Sequence, residues 1–240
     1  MASPTVLVID DNEDLAENIA EILDDVGVEV RLAKNTDEAL EAFGEQPWSL
    51  VLTDVRMPGR DGLELLSIIK RRSPGTPVLV MTGYADRHTL HRAHESGALA
   101  VVNKPIDVEA LIELVDRVAK AASPVLIVDD DVSLCSNLTD IISEHGGMLP
   151  HPAANIELAR RLAEAIDFRA ALIDLRLPDG NGLLLARELQ LRPDGSARPV
   201  IIMTGHPEAL EFEEGGGDGL TVLTKPFAVP NLLERLREMV

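Results

Sequence analysis

One set of sequence motifs occurs twice in this chain of 240 residues. An apolar run that ends in two acids appears as VLVIDD at 6–11 and again as VLIVDD at 125–130. Three further motifs return in the same order, and all four recur at offsets of 119 to 122 residues. Because the offset changes by so little, the pattern predicts a duplicated domain, with one copy at 1–122 and the other at 123–240.

The first half alternates short apolar strands with amphipathic helices. A β-branched run at 5–10 is followed by apolar residues at helical spacing, which are Leu15, Ile19, Ile22, Leu23 and Val26. Four more strand–helix pairs follow, and this order predicts a parallel sheet with helices on both faces. Aromatic residues make up only 2% of the chain, so the buried strands must be aliphatic. We therefore expect an α/β protein with two tandem flavodoxin-like (βα)5 domains and the strand order 2-1-3-4-5 in each sheet.

The second half departs from the first at two places. Its second strand would contain Pro150 and Pro152, which cannot donate ladder hydrogen bonds but are tolerated in an edge strand. Its fourth helix would span 207–214, and the glycines at 215–217 that follow disfavour helix. We therefore expect the fourth-helix region of the second domain to be short or mobile.

Acidic residues dominate the charge, and the formal net charge is −19. A nucleic-acid-binding module needs a basic face, so neither half is expected to bind nucleic acid. The densest basic run, Lys70–Arg72, is expected to be the solvated end of a helix.

No signal peptide is visible and no apolar run approaches the roughly 20 residues of a membrane span, so we expect no membrane contact. The single cysteine, Cys135, excludes a disulfide framework and suggests a cytoplasmic protein.

Polar side chains lie at the ends of four predicted strands in each half. In the first half they are Asp10, Asp11, Asp54, Thr82 and Lys104, and in the second half they are Asp129, Asp130, Asp174, Thr204 and Lys225. The carboxyl ends of parallel strands meet in one crevice, where such sheets bind ligands. Three carboxylates crowded there would repel one another unless a cation binds, and a hard divalent ion such as Mg²⁺ suits oxygen ligands.

Phosphoryl transfer is the chemistry that these groups suit. An aspartate nucleophile can form an aspartyl phosphate, and Asp54 and Asp174 are the candidates because each ends an apolar strand before a glycine-containing turn. The metal ion and the lysine would neutralise the phosphoryl oxygens, and the threonine would donate a hydrogen bond to one of them.

Both halves resemble the receiver domains of two-component response regulators. The resemblance rests on the acidic pair, D-x-R-[ML]-P-x-x-[DN]-G, [VI]-x-M-T-G and K-P, which occur in this order in each half. It implies that Asp54 and Asp174 accept a phosphoryl group from the phosphohistidine of a histidine kinase. It also implies a cis peptide bond between each lysine and the proline after it. The implied metal ligands are Asp10, Asp11, Asp54 and the carbonyl oxygen of Arg56 in the first half, and Asp129, Asp130, Asp174 and the carbonyl oxygen of Arg176 in the second.

One feature of that family is missing from this chain. Many receivers carry an aromatic residue three positions before the lysine, whereas this chain has Val101 and Val222 there. We therefore expect an activated state to be transmitted by shifts of loops and helices. Duplicated domains can lose activity while keeping their fold, so weak phosphorylation of the second domain is an open alternative.

We interpret the chain as a phosphorelay response regulator that is a phosphoacceptor and not an enzyme. Its expected partners are a sensor histidine kinase or a histidine phosphotransfer protein, and a downstream protein. The two domains fill the chain, so the expected output is protein contact or phosphate buffering without DNA binding, and a homodimer stays open.

Three alternatives remain open from the sequence. The chain could be a receiver pair excised from a larger hybrid histidine kinase or multidomain regulator. A haloacid-dehalogenase-like phosphatase also uses a strand-end aspartate with Mg²⁺, but it normally carries D-x-D on its first strand, where this chain has adjacent acids. A structural dimerisation module would form no Mg²⁺-dependent acyl phosphate.

Overall fold

The structure is a computed structural model, and it describes residues 3–57, 61–120, 123–191, 196–207 and 220–239. The chain divides into two compact units, Met1–Lys120 and Ala121–Val240, close to the boundary that the sequence repeat predicts. Each unit contains a five-stranded sheet. Among the described residues, no helix is both long enough and apolar enough to cross a membrane.

The first domain alternates strands and helices from end to end. Its elements are β1 (Thr5–Ile9), α1 (Glu13–Asp25), β2 (Glu29–Ala33), α2 (Thr36–Glu45), β3 (Leu50–Asp54), α3 (Gly62–Arg72), β4 (Val78–Thr82), α4 (Arg87–Glu95), β5 (Ala100–Asn103) and α5 (Val108–Lys120). The strands lie in the order β2-β1-β3-β4-β5, and all of them pair in parallel. The central strands β1, β3 and β4 are buried almost throughout, since helices cover both faces of the sheet.

Short polar side chains cap the N-termini of several helices in the first domain. The side chain of Asn12 accepts a hydrogen bond from the backbone N–H of Leu15, and this contact caps α1 directly after the acidic pair. Asp61 caps α3 in the same way by accepting from the N–H of Leu63. Such caps satisfy N–H groups that have no partner within the helix. They fix the point at which the chain leaves the strand ends and turns into each helix.

The second domain repeats this order over its described residues, which also include a short hairpin. Its elements are β6 (Ser123–Val128), α6 (Val132–Gly146), β7 (Met148–Ala153), α7 (Ile156–Ala165), β8 (Ala170–Asp174), β9 (Arg176–Leu177), β10 (Gly180–Asn181), α8 (Gly182–Gln190), β11 (Val200–Thr204), β12 (Thr221–Thr224) and α9 (Val229–Met239). The sheet order β7-β6-β8-β11-β12 matches the first domain, with parallel pairing throughout. The strand order predicted from the sequence is therefore confirmed in both domains.

The two predicted irregularities of the second domain have different outcomes. Pro150 and Pro152 lie in β7, which is an edge strand as predicted. An edge strand has one row of N–H groups without a ladder partner, so a proline there removes no sheet hydrogen bond. The prediction of a short or mobile fourth-helix region falls almost entirely on 208–219, which lies outside the described residues.

Lys70 is buried, so the prediction that Lys70–Arg72 is a solvated helix end is wrong for its first residue. Lys70 is only 5% exposed, whereas Arg71 and Arg72 are exposed. Lys70 follows the buried Leu66 by four residues and therefore lies on the core face of α3. Its Nζ donates to the carbonyl oxygen of Thr76 at 2.8 Å and to that of Pro74 at 3.2 Å.

Candidate functional site

The parallel order of the first sheet brings four groups to its carboxyl edge. β1 ends just before Asp10, β3 ends on Asp54, β4 ends on Thr82 and β5 ends just before Lys104. β1, β3, β4 and β5 are consecutive neighbours in the sheet, so their ends form one continuous crevice. The sequence prediction that strand ends gather these residues is confirmed by this topology.

The Lys104 ammonium lies between two carboxylates. Its Nζ is 2.6 Å from Oδ2 of Asp10 and 2.8 Å from Oδ1 of Asp54. Both aspartates are buried, with exposed fractions of 1% for Asp10 and 5% for Asp54. The other oxygen of each carboxylate accepts a backbone N–H two residues further on, from Asn12 at 3.0 Å and from Arg56 at 3.0 Å. Every carboxylate oxygen of this pair is therefore fixed by a donor.

Burial and charge pairing set the protonation of these groups. Burial raises the pKa of Asp54, and the hydrogen bond from Lys104 offsets only part of that rise. Burial alone would lower the pKa of Lys104, but its hydrogen bonds to Asp10 and Asp54 outweigh burial and raise the pKa. Lys104 therefore remains a cation, and a single positive charge faces two carboxylates.

A third carboxylate completes an acidic cluster in the first domain. Oxygen atoms of Asp10, Asp11 and Asp54 all lie within 4.8 Å of one another. Asp11 is exposed, so the cluster opens to solvent on that side. Carboxylate oxygens at this spacing form a donor set that suits a hard divalent cation. The backbone N–H of Arg56 donates a hydrogen bond to the Asp54 carboxylate. The role of the Arg56 carbonyl oxygen as a metal ligand stays a prediction.

A glycine explains how the chain turns so closely after Asp54. A Cβ atom on Gly62 would lie 1.8 Å from the carbonyl oxygen of Asp54, well inside van der Waals contact. The N–H of Gly62 also donates to the carbonyl oxygen of Val55 at 3.0 Å, which holds the start of α3 against the strand end. The glycine of the D-x-R-M-P-x-x-D-G motif is thus required by the close approach of backbone to backbone.

The hydroxyl groups of Thr82 and Thr204 each form hydrogen bonds with the loop that follows them. The Thr82 hydroxyl donates to the carbonyl oxygen of Tyr84 at 3.1 Å and accepts the N–H of the same residue at 3.1 Å. In the second domain the Thr204 hydroxyl accepts the N–H of His206 at 3.0 Å. Each threonine therefore lies at the carboxyl edge of its sheet, as predicted, and its hydroxyl is engaged locally.

The second domain repeats the lysine–carboxylate arrangement. Lys225 Nζ is 2.6 Å from Oδ2 of Asp129 and 2.5 Å from Oδ1 of Asp174. The second oxygen of Asp174 accepts the N–H of Arg176 at 2.7 Å, and that of Asp129 accepts the N–H of Asp131 at 2.9 Å. Hydrogen bonds to the two carboxylates outweigh burial and raise the pKa of Lys225. Burial raises the pKa of Asp129, and Lys225 opposes that rise.

The acidic cluster is tighter in the first domain than in the second. Within the part of the chain that the structure describes, only Asp10, Asp11 and Asp54 bring three carboxylates within 4.8 Å of one another. The corresponding residues Asp129, Asp130 and Asp174 lie at the same sheet edge but do not form so compact a set. The assignment of Asp130 and of the Arg176 carbonyl oxygen as metal ligands therefore stays a prediction.

Sequence reasoning missed a contact that anchors the loop after Asp174. Asp179, between β9 and β10, accepts the N–H of Ile156 at 2.9 Å and the N–H of Glu157 at 3.1 Å. Both N–H groups belong to the first turn of α7, where backbone donors lack partners. The Pro178–Asp179–Gly180 sequence carried a turn signal that could have indicated the hairpin, although not its contact with α7.

Two further predictions from the resemblance can be placed. The peptide bonds Lys104–Pro105 and Lys225–Pro226 are both cis. Val101 and Val222 are partly buried and pack against the core of their own domains. The positions that are aromatic in many receivers are therefore filled here by small core residues.

The comparison with known proteins agrees with this geometry. The family model of the response regulator receiver domain matches residues 6–116 and, a second time, residues 125–237. The chain belongs to the response regulator receiver domain family, and it contains two such domains in tandem.

Known relatives share either the whole chain or one of its domains. A response regulator receiver protein of Anaeromyxobacter is 35% identical over 233 residues, which are 97% of this chain and 94% of that protein. The response regulator protein PilR of Pseudomonas aeruginosa is 35% identical over 124 residues, so 52% of this chain matches 28% of PilR. Among solved structures, the chemotaxis response regulator CheY4 of Vibrio cholerae aligns with 49% of this chain and 99% of its own, at 26% identity and a TM-score of 0.46.

Proposed function

We propose that this protein accepts phosphoryl groups on Asp54 and Asp174 from a sensor histidine kinase or a histidine phosphotransfer protein. The observation that carries the proposal is the lysine ammonium held between two carboxylates, which occurs in both domains; Asp10, Asp54 and Asp129 are buried and Asp174 is partly buried. From this place the lysine ammonium can pair first with a carboxylate and then with an attached phosphoryl group, without leaving the crevice.

The reaction forms one bond to phosphorus and breaks another. A carboxylate oxygen of Asp54 attacks the phosphorus of a phosphohistidine, the P–N bond breaks, and the histidine leaves with the electron pair. The products are an aspartyl phosphate and an unphosphorylated histidine. Lys104 then pairs with a phosphoryl oxygen, and the Thr82 hydroxyl exchanges its contact with Tyr84 for a phosphoryl oxygen. Lys225 and Thr204 do the same at Asp174.

The donor set of the first domain fits Mg²⁺. Asp10, Asp11 and Asp54 would hold the ion together with the carbonyl oxygen of Arg56, and Asp129, Asp130, Asp174 and Arg176 are the corresponding groups of the second domain. Mg²⁺, when bound, supplies positive charge that neutralises the phosphoryl oxygens during transfer. Because the carboxylate set of the first domain is the more compact, we expect the first domain to be phosphorylated more readily than the second.

The proposed output is contact with a downstream protein or storage of phosphoryl groups, without DNA binding and without turnover of a separate substrate. Valines at 101 and 222 leave no aromatic side chain to move with the threonine, so a signal would pass through shifts of the loops after β4 and β11. A receiver pair within a larger regulator is the second candidate, since the match of one domain of this chain to 28% of PilR shows that a similar domain occurs within a longer regulator. Both candidates place the chain in the cytoplasm with its kinase.

The test is phosphorylation of the full chain by a small acyl phosphate donor, followed by intact-mass analysis with and without Mg²⁺. We expect up to two phosphoryl groups on the wild type, one on Asp54→Ala or Asp174→Ala, and none on the double variant. Lys104→Met should slow labelling of Asp54 and leave Asp174 labelling unchanged. Undiminished label on the double variant would contradict the proposal, and label that persists in excess chelator would contradict the role of the metal.

A further inference from the structure

Helix α4 of the first domain buries few of its side chains. Of its nine residues, Ala93 and His94 are buried, whereas the neighbouring helix α3 buries six residues. Most of the stability of a helix in a protein comes from packing an apolar face against other elements. Because α4 has so little apolar contact, polar contacts with its neighbours should contribute much of what fixes its position.

Polar contacts join α4 to α3. Nη1 of Arg92 donates a hydrogen bond to Oδ2 of Asp61 at 3.0 Å, and the hydroxyl oxygens of Ser67 and Ser96 are 3.3 Å apart. Ser96 is the C-cap residue of α4, and Ser67 lies in the middle of α3. Arg92 lies one turn earlier in α4 and therefore reaches the N-terminus of α3, where the chain arrives from the carboxyl edge of the sheet.

The Asp61 carboxylate binds both helices. Its Oδ1 caps α3 by accepting a backbone N–H at 2.9 Å, while its Oδ2 accepts the hydrogen bond from Arg92 of α4. The next residue, Gly62, donates its N–H to the carbonyl oxygen of Val55, the residue that follows Asp54. Arg92 is thus connected through Asp61 to the turn that returns from the proposed phosphoacceptor.

The loop before α4 connects the same helix to Thr82. Asp86 caps α4 by accepting the N–H of Thr89 at 2.7 Å. Three residues separate Thr82 from Asp86, and the middle one, Tyr84, is bound to the Thr82 hydroxyl through both its N–H and its carbonyl oxygen. A connection this short passes a displacement of Tyr84 on to the first turn of α4. Helix α4 is therefore connected to the site both through this loop and through Arg92.

The second domain keeps the cap without the charge. Asn181 is at the position of Asp61, and its side chain caps α8 by accepting the N–H of Leu183 at 2.8 Å. An asparagine is therefore sufficient to cap this helix. Its neutral amide cannot form an ion pair with an arginine, so the contact between Asp61 and Arg92 uses a charge that the cap does not require.

We propose that Arg92 is a positioning residue for the phosphoryl transfer to Asp54. In the unphosphorylated domain its ion pair with Asp61 holds α4 against α3, and the pair opens when the Thr82 hydroxyl leaves Tyr84 for a phosphoryl oxygen. This inference rests on the proposed function. An interaction that is made in only one of two states shifts the equilibrium towards that state, so the ion pair resists the phosphoryl-bound arrangement.

The effect is modest in size because water reaches both side chains. The exposed fractions are 41% for Arg92 and 32% for Asp61. Ion pairs of this kind contribute little, and the loss of this one corresponds to a change of about two- to fivefold in an equilibrium constant. Its direction is informative, because replacing a merely structural residue would leave binding at Asp54 unchanged or weaken it. Loss of this ion pair should strengthen binding there.

Beryllofluoride, a non-covalent mimic of a phosphoryl group, tests the proposal when it is titrated into the full chain at a fixed Mg²⁺ concentration. The amide NMR signal of Gly83, directly after Thr82, reports binding in the first domain. Asp61→Asn, which keeps the cap as Asn181 does, and Arg92→Gln should each raise the affinity about two- to fivefold. The double variant D61N/R92Q should raise it no further, because both changes remove the same contact.

Glu95→Gln is the matched control. It removes an exposed contact that Glu95 makes with His91 inside α4 at 3.3 Å, so the affinity for beryllofluoride should stay that of the wild type. Wild-type affinity in both single variants, or an additive gain in the double variant, would overturn the proposal. A wild type whose Gly83 signal does not respond to beryllofluoride would contradict the proposed function itself, and this coupling with it.

Discussion

Lys70 gives the first domain a pH dependence that can be worked out from its contacts. The ammonium is buried, and both of its hydrogen-bond acceptors, the carbonyl oxygens of Pro74 and Thr76, are neutral. Burial lowers the pKa of Lys70 from 10.5 to about 7. Burial of a cation without an opposite charge is costly, and the lysine can avoid part of the cost by releasing its proton.

The sign of the effect on stability follows from proton binding. Between pH 7 and 10.5 the unfolded chain keeps its proton on Lys70 while the folded domain has lost it. The unfolded state therefore binds more protons, and the free energy of unfolding rises with pH in this window. The slope from one group is at most on the order of 1 kcal/mol per pH unit, which sums to a few kcal/mol across the window. Below pH 7 both states are protonated and Lys70 adds no slope.

Urea unfolding followed by Trp48 fluorescence measures this effect in the first domain. Trp48 is the single tryptophan of the chain and is 7% exposed, so its emission reports the unfolding of its own domain. Lys70→Met should remove the rise between about pH 7 and 10, because a thioether has no proton to release. Lys34→Met is the control, since the Lys34 side chain is 59% exposed. Equal slopes for the wild type and Lys70→Met would refute the reasoning.

Two further predictions concern single contacts. Gly62→Ala should lower the free energy of unfolding of the first domain by about 2–4 kcal/mol, because its Cβ would meet the Asp54 carbonyl oxygen, whereas Gly44→Ala in α2 has open space and should raise it by about 1 kcal/mol. Changes of the same sign in the Trp48 unfolding assay would contradict this. Asp179→Gly removes two hydrogen bonds at the start of α7 and should cost about 1–2 kcal/mol in the second domain. Amide hydrogen exchange at Ile156 should then accelerate while exchange in α2 stays constant, and unchanged exchange at Ile156 would rule out the proposed anchor.

The strand-end groups could be predicted because one simple rule places them. A buried parallel strand reads as an apolar run, and the residue that ends the run lies at the edge of the sheet where ligands bind. Asp54 and Lys104 are 50 residues apart in sequence, and the strand order alone brings them to 2.8 Å. The prolines of β7 could be placed by the same logic, since only an edge strand tolerates them.

Lys70 and Asp179 could not be predicted because their surroundings depend on distant backbone. Lys70 is next to two exposed arginines in sequence, and only the packing of α3 against the sheet decides that it points inward. The Asp179 turn was visible in the sequence, but its acceptor role depends on where the first turn of α7 lies, 22 and 23 residues away. Local patterns indicate turns and faces, whereas such contacts require the assembled domain.

The duplicated domains thus agree at the sheet edge and differ on the neighbouring helices. Both hold a lysine ammonium between two carboxylates at N–O distances of 2.5–2.8 Å, so the two sites have the same arrangement of charged groups. Around the second site Asp179 ties the loop to α7, whereas the first domain has Gly59 at that position, which carries no side-chain acceptor. Leu184 in α8 is at the position of Glu64 in the first domain, and Leu191, directly after α8, is at the position of Arg71. The side chains next to the two sites therefore differ, although the charged groups at the sheet edge are the same in both domains.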